Sequence, residues 1–93
     1  MDKEKARAVL AEALQPYRAK SYAALRDLIG ETDVYQIANP DGPDFQIEIE
    51  AFWDGKPDGN IRVMGGVDDG GWSAFSPLCD SFAVAPDGSI VGE

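Results

Sequence analysis

The sequence predicts an α+β fold in which an N-terminal helical segment packs on an antiparallel sheet of four to five strands. Apolar residues recur at helical spacing over residues 1–30, whereas residues 31–93 alternate with a period of two. Clusters of Asn, Asp, Gly and Pro separate the alternating segments, as is typical of a meander. The 93 residues suit one domain, with 1–30 as its helical segment and 31–93 as its sheet.

The helical segment divides at a proline. Asp2 can cap a first helix, whose apolar stripe is Ala6, Val9, Leu10, Ala13, Leu14 and Tyr17. Pro16 lacks a backbone N–H and restricts the residue before it, so we expect the helix to kink or break there. Ser21 can cap a second helical segment, and Gly30 is a natural stop. The apolar positions of this second segment are Tyr22, Leu25, Leu28 and Ile29.

The strand candidates are residues 34–38, 45–53, 60–67, 72–75, 81–85 and 89–92. Residues 45–53 alternate most clearly. One side of this strand carries Phe45, Ile47, Ile49, Ala51 and Trp53, and the other carries Gln46, Glu48, Glu50 and Phe52. The first side is predicted to face the helices, because it is the apolar one.

Turn chemistry predicts how the strands pair. If Asp54 lies opposite Asn60, the loop 55–59 places Trp53 opposite Ile61 and Phe52 opposite Arg62. The loop 86–88, Pro-Asp-Gly, fits a three-residue hairpin with its glycine in the left-handed region.

The segment "GGVDDGGWSAF", residues 65–75, places two aspartates between pairs of glycines. Such a segment is either a metal-binding loop or a tight turn. Asp69-Gly70 favours a type I′ hairpin that places Val67 opposite Trp72. The spacing of its acids does not match a calcium-binding loop. We therefore interpret it as a turn.

Charge is unevenly distributed along the chain. Residues 1–29 carry six basic and four acidic side chains, whereas residues 30–93 carry two basic and thirteen acidic ones. The net charge of −9 argues against nucleic acid and membrane surfaces as partners and favours a basic partner or a cation. The chain has a single cysteine, Cys79, so it cannot form an internal disulfide. It also has no apolar run long enough for a signal peptide or a membrane span. Together these features predict a cytoplasmic protein. Cys79 is expected to be a partly buried small side chain.

Catalytic chemistry has few candidates. The chain has no histidine, which excludes the usual histidine-based triads and leaves zinc without its common ligands. The carboxylate pairs Glu48/Glu50 and Asp68/Asp69 are the one catalytic option, but an open strand or turn offers no cleft to separate their pKa values. We therefore predict a non-enzyme without cofactor or metal.

The sheet face turned away from the helices is the candidate binding surface. Strand alternation gathers Phe52, Arg62, Met64 and Phe75 there, bordered by Glu48 and Glu50. An apolar cluster with an acidic border is typical of a surface that binds a protein partner. Two alternatives stay open: the cluster is covered by residues 76–81 or the C-terminus, or it forms a homodimer interface.

A different hypothesis concerns the opposite side of the sheet. Trp53 and Trp72 are predicted to face the helices, where they either anchor the core or line a cavity for a small ligand or a cation.

The second half of the chain resembles a group of small uncharacterised bacterial proteins. The resemblance rests on "W-D-x-x-P-x-G-x-I-R-V" at 53–63, "DDGGW" at 68–72 and "PDGS-x-VGE" at 86–93. It implies a bacterial cytosolic origin and no particular reaction, so no functional residue is carried over from it.

Overall fold

The computed structural model describes residues 1–71 and 77–92. Two helices are followed by four strands: α1 (Lys3–Arg18), α2 (Tyr22–Arg26), β1 (Thr32–Ile37), β2 (Phe45–Trp53), β3 (Ile61–Asp68) and β4 (Leu78–Val84). The strands form one antiparallel sheet in the order β1-β2-β3-β4. The helix α1 packs on β2, β3 and β4, and α2 packs on β2 and β3. The predicted α+β architecture is confirmed with four strands.

Both predicted helix caps are present. The side chain of Asp2 accepts a hydrogen bond from the backbone N–H of Lys5 at 3.1 Å, and the Ser21 hydroxyl accepts one from that of Ala24 at 3.1 Å. These bonds satisfy N–H groups that the first helical turn leaves without a partner. Within the part of the chain that the structure describes, no helix combines the length and the apolarity needed to cross a bilayer.

The helix α1 runs through Pro16 to Arg18, so the predicted break is wrong, and a kink is not shown. Pro16 lies in the last turn, where few intrahelical bonds remain to be lost. Tertiary contacts hold that turn. The Tyr17 hydroxyl donates to the Asp33 carboxylate on β1, and the Arg18 guanidinium lies 4.6 Å from the centre of the Phe82 ring.

The register of β2 and β3 agrees with the prediction. Trp53 pairs with Ile61 and Phe52 with Arg62, and the N–H of Asp54 donates to the carbonyl of Asn60 at 2.8 Å. The side of β2 that begins with Phe45 is buried against the helices, apart from Trp53, which is partly buried at its edge. The helices therefore cover one sheet face and leave the other face uncovered by them.

The core lies between α1 and the sheet. Its fully buried large side chains are Phe45, Leu10, Leu14, Leu25, Ile47, Ile61, Val63, Val67 and Val84. The side chains of α1 pack tightly against Gly65, where an added Cβ would lie 2.8 Å from Leu10 Cδ1 and 3.2 Å from Leu14 Cδ2. The absence of a side chain at Gly65 thus gives the two leucines room against the sheet.

The connection between β3 and β4 differs from the predicted hairpin. Val67 pairs with Leu78 rather than Trp72, and the predicted strand 72–75 lies outside the described residues. The segment does not form a two-residue turn. The Asp68 carboxylate instead accepts a hydrogen bond from the backbone N–H of Gly70 at 2.8 Å. This Asx-type bond satisfies the backbone locally, so the Asp-Gly pair starts a longer connection. The predicted type I′ hairpin register is therefore wrong.

The C-terminal turn is confirmed, but the strand after it is not formed. The N–H of Ala85 donates to the carbonyl of Ser89 at 2.8 Å, and Gly88 has a φ of +88°. Beyond this loop, Val84 and Ile90 form an isolated bridge, and the N–H of Val91 donates to the carbonyl of Ala83 at 2.8 Å. The predicted fifth strand at 89–92 is therefore not present among the described residues.

Long-range polar contacts fix two of the loops. The Tyr22 hydroxyl of α2 donates to the carbonyl of Gly59, in the β2–β3 loop, at 2.7 Å. Lys5 Nζ of α1 lies 2.7 Å from Asn39 Oδ1 and 2.8 Å from Asp41 Oδ2, in the β1–β2 loop. The hydrogen bond and charge of Lys5 lower the pKa of the Asp41 carboxyl.

The Lys5–Asp41 ion pair predicts a component of acid sensitivity. A carboxyl whose pKa is lowered by folding stabilises the fold above its unfolded pKa, about 3.9, and this stabilisation is lost as the pH falls through the lowered value. We therefore expect Asp41→Asn to flatten the decrease of Tm between about pH 5 and pH 2. Lys5→Gln should flatten it equally, and the double variant should add nothing further. A double variant whose two effects add would show that the residues act separately.

Candidate functional site

We call the sheet surface opposite α1 and α2 the far face. The strand pairing places fourteen residues on it: Thr32, Val34, Gln36, Gln46, Glu48, Glu50, Phe52, Arg62, Met64, Gly66, Asp68, Cys79, Ser81 and Ala83. Glu48 and Glu50 are exposed, and Met64 is partly buried. The predicted sorting of Phe52, Arg62 and Met64 onto the face away from the helices is therefore observed.

A groove of about 240 Å³ lies at the centre of the far face, and we call it the acidic groove. Its lining residues are Glu48, Glu50, Met64, Gly66, Asp68, Pro77 and Cys79. Glu50 pairs with Met64, and Gly66 lies between Glu48 and Cys79 on the neighbouring strands. Because Gly66 has no side chain, the surface is depressed at this point, with carboxylates on one side and the thiol on the other.

The acidic groove carries three carboxylates, those of Glu48, Glu50 and Asp68, and no basic side chain is in its described lining. The nearest basic residue along β3, Arg62, is engaged elsewhere. Its Nε and Nη2 atoms each lie 3.1 Å from an oxygen of Asp54, and Nη1 donates to the Ser81 hydroxyl at 2.9 Å. This bidentate pairing raises the pKa of Arg62 and gives its charge a partner in Asp54.

Arg62 does not cover the ring of Phe52, although the two residues pair across the strands as expected. The cation–π contacts among the described residues are Arg18 with Phe82 and Lys20 with Tyr17. Hydrogen bonds to Asp54 and Ser81 satisfy the guanidinium more completely than a ring face would.

The structure brings together three of the six predicted partner-binding residues, Glu48, Glu50 and Met64, in the acidic groove. Phe52 and Arg62 lie on the same face toward the β2–β3 loop, and Phe75 lies outside the described residues. Residues 78–81 belong to β4 and so extend this face instead of covering it. Coverage of the face by the C-terminus or by a second copy stays a prediction.

Sequence reasoning missed Asp68, Pro77 and Cys79 as groove residues. Asp68 shares its strand parity with Met64 and could have been found by extending β3 by one residue. Cys79 reaches the groove through the β3–β4 register, which was predicted wrongly. Its expected partial burial is also wrong, because Cys79 is exposed at the side of the groove.

Across residues 1–71 and 77–92, no three His, Cys, Asp or Glu side chains converge closely enough to hold a metal ion. The acidic groove instead combines separated negative charges with an apolar methionine, which suits ammonium or guanidinium groups carried on a chain.

Two spaces on the helix side of the sheet bear on the alternative site. One is a groove of about 210 Å³ lined by Val9, Glu12, Ala13 and Ile37. The other is a cavity of about 10 Å³, lined by Tyr17, Leu28, Glu31, Asp33, Ile49, Glu50, Ala51 and Val63. That volume is at the lower limit for one water molecule. Trp53 packs against the core and is not part of this lining, and Trp72 lies outside the described residues.

Comparison of the chain with protein-family models, curated proteins and solved structures finds no match. The resemblance to small bacterial proteins, and the origin that it implies, therefore stay predictions.

Proposed function

We propose that this chain is a non-catalytic interaction module that binds a basic protein segment in the acidic groove. The observation that carries the proposal is the lining of that groove: it combines three carboxylates with Met64, and the guanidinium of Arg62, on the same face, is paired with Asp54. A partner that supplies lysine or arginine side chains and one apolar side chain would match both components.

Charge attraction supports the encounter more than the final affinity. Exposed ion pairs contribute about 0.2–1 kcal/mol each, so two or three of them give only weak binding. An apolar partner side chain in contact with Met64 would add burial of carbon surface, at about 25 cal/mol per Å². The excess of eleven negative charges in residues 30–93 would also accelerate association with a basic partner at low ionic strength.

The shape of the groove favours a side chain or a short segment over a small metabolite. A volume of about 240 Å³ falls below the roughly 300–1,000 Å³ of typical small-molecule pockets. The groove is open to solvent on a sheet surface, so a free ligand would keep much of its area in water. A segment anchored on either side of the groove avoids that loss.

The test uses fluorescence anisotropy with dye-labelled ten-residue peptides that contain lysine or arginine around one central leucine or phenylalanine. Removing two groove charges with Glu48→Gln and Glu50→Gln is expected to weaken binding about tenfold, or 1.4 kcal/mol. The matched control, Glu4→Gln with Asp27→Asn, removes the same charge from exposed sites in the helical segment, off the far face, and should change binding less than twofold.

Two further measurements separate the groove from overall charge. Met64→Ala should weaken binding at both low and high salt, whereas the glutamate substitutions should matter less at high salt. Equal losses in the groove variant and in the control would contradict the proposal, because net charge would then explain the binding. Failure of every peptide to bind at millimolar concentration would also contradict it.

A further inference from the structure

The strand β1 is an edge strand with little protection. It pairs with β2 on one side, and the described residues provide no strand on its other side. Residues 32–36 are all exposed, with Val34 at 67% and Tyr35 at 37% exposure. Edge strands are normally protected by proline, lysine or bulges, and the sequence TDVYQI has neither proline nor lysine. Its register with β2 is also continuous over all six residues.

The hydrogen-bond alternation of the sheet identifies the free backbone groups. Asp54 donates to Asn60 across β2 and β3, so the even-numbered residues of β2 bond to β3 and the odd-numbered ones bond to β1. Odd-numbered residues of β1, which pair with the odd-numbered residues of β2, therefore bond inward. The N–H and C=O groups of Thr32, Val34 and Gln36 point outward.

We propose that β1 pairs antiparallel with β1 of a second copy, around a two-fold axis at Val34. This register places Val34 opposite Val34 of the second copy, Thr32 opposite Gln36 and Asp33 opposite Tyr35. All three outward-pointing residues of each strand then form hydrogen-bonded pairs. Within the strand pair, no charged side chain lies directly opposite a like charge.

Neighbouring registers are less favourable. An axis at Asp33 sets that carboxylate opposite its own copy, and an axis at Thr32 sets Glu31 opposite Asp33 of the second copy. Like charges directly opposite one another destabilise a strand pair. An axis at Tyr35 or Gln36 runs past the end of β1 at Ile37, so fewer outward groups find strand partners.

The surface beside β1 supports the same occupant. On the helix side, a groove of about 210 Å³ is lined by Val9, Glu12, Ala13 and Ile37. Pairing of the two β1 strands joins the two sheets into one, and the two-fold axis is perpendicular to that joined sheet. The helices of both copies therefore lie on the same side of it, and the two grooves lie next to each other. Apolar surface from both copies would then be removed from water. The outer edge of β1 lies one strand away from Glu48 and Glu50 of the acidic groove, and its tests measure self-association rather than peptide binding, so either proposal can fail without the other.

The first test measures molar mass by sedimentation equilibrium over about 1–500 µM. The wild-type chain is expected to shift from monomer toward dimer, whereas Val34→Pro should stay monomeric at every concentration. Proline is tolerated at this position because the N–H that it removes points outward, away from β2. Val34→Ala, which keeps the backbone edge, is the control and should still dimerise.

The second test reads the register by cross-linking in a Cys79→Ser background. Val34→Cys should oxidise to a covalent dimer, since hydrogen-bonded antiparallel partners have Cα atoms about 5.5 Å apart, within the range for a disulfide. Gln36→Cys lies on the same edge and face, but its two copies would be offset by four residues, about 13 Å. It should not cross-link efficiently.

Three outcomes would overturn the proposal: a wild-type chain that is monomeric at 500 µM, a Val34→Pro variant that dimerises as wild type does, or equal cross-linking at positions 34 and 36. If Val34→Pro fails to fold, by circular dichroism, the cysteine pair decides alone. Cross-linking at position 34 and not at position 36 would support the register.

Discussion

Val63→Asp is expected to leave the chain largely unfolded at 25 °C, whereas Met64→Asp should fold. Val63 has 0% exposure and lies between Ala51 and Phe82 in the sheet, on the side that α1 covers. A carboxylate there would be buried without a partner, which costs several kcal/mol. Domains of this size have a free energy of unfolding of only about 5–15 kcal/mol, so most of the stability would be lost.

The neighbouring residue is the matched control. Met64 lies on the far face, partly exposed in the acidic groove and opposite Glu50. An aspartate there stays in contact with water, and the like charge opposite costs at most about 1 kcal/mol. Urea denaturation followed by circular dichroism compares the two variants. Similar losses of stability at the two positions would show that the faces are not sorted as described.

Gly65→Ala is expected to lower the free energy of unfolding by about 1–3 kcal/mol, as overpacking of a tight core typically does. The added Cβ would lie 2.8 Å from Leu10 Cδ1, and both Leu10 and Leu14 are fully buried, so neither can move freely. Gly66→Ala is the control. Its Cβ would meet Cys79 Sγ at 3.8 Å and Pro77 Cβ at 3.9 Å, which are ordinary contacts. It should be neutral or stabilise by up to about 1 kcal/mol.

A double-mutant cycle shows whether the contact with Leu10 is the cause. Leu10→Ala alone should cost about 2–5 kcal/mol, because it leaves a cavity under the helix. In the Leu10→Ala background, the alanine at position 65 occupies space that the leucine has vacated, so the two losses should be non-additive. Additive losses would place the cost of Gly65→Ala elsewhere, in the strand backbone.

The faces of the sheet could be predicted from sequence because local rules determine them. In β2, side chains alternate between core and solvent, and a one-residue slip of the pairing would bury Arg62, so the register with β3 follows. The same holds for the loop 86–88, where Pro, Asp and Gly each suit their turn position. The association of Glu48 and Glu50 with Met64 followed directly from this alternation.

Features that depend on distant residues could not be predicted. Val67 pairs with Leu78 of β4. This pairing places Phe82 and Val84, on the same strand as Leu78, in the core. The burial of these two side chains outweighs the local preference of Asp69-Gly70 for a tight hairpin. The continuation of α1 past Pro16 likewise depends on Asp33 and Phe82, which hold the last turn from the sheet. Position 79 in the groove follows from the same unpredicted register.

The exposure of Cys79 has a practical consequence. It is the one thiol in the sequence, and it lies beside the carboxylates of the acidic groove. A maleimide-linked environment-sensitive fluorophore can therefore be attached at the groove of the native chain without any engineered cysteine. Its emission would monitor directly whether a bound segment displaces water from the surface around Met64.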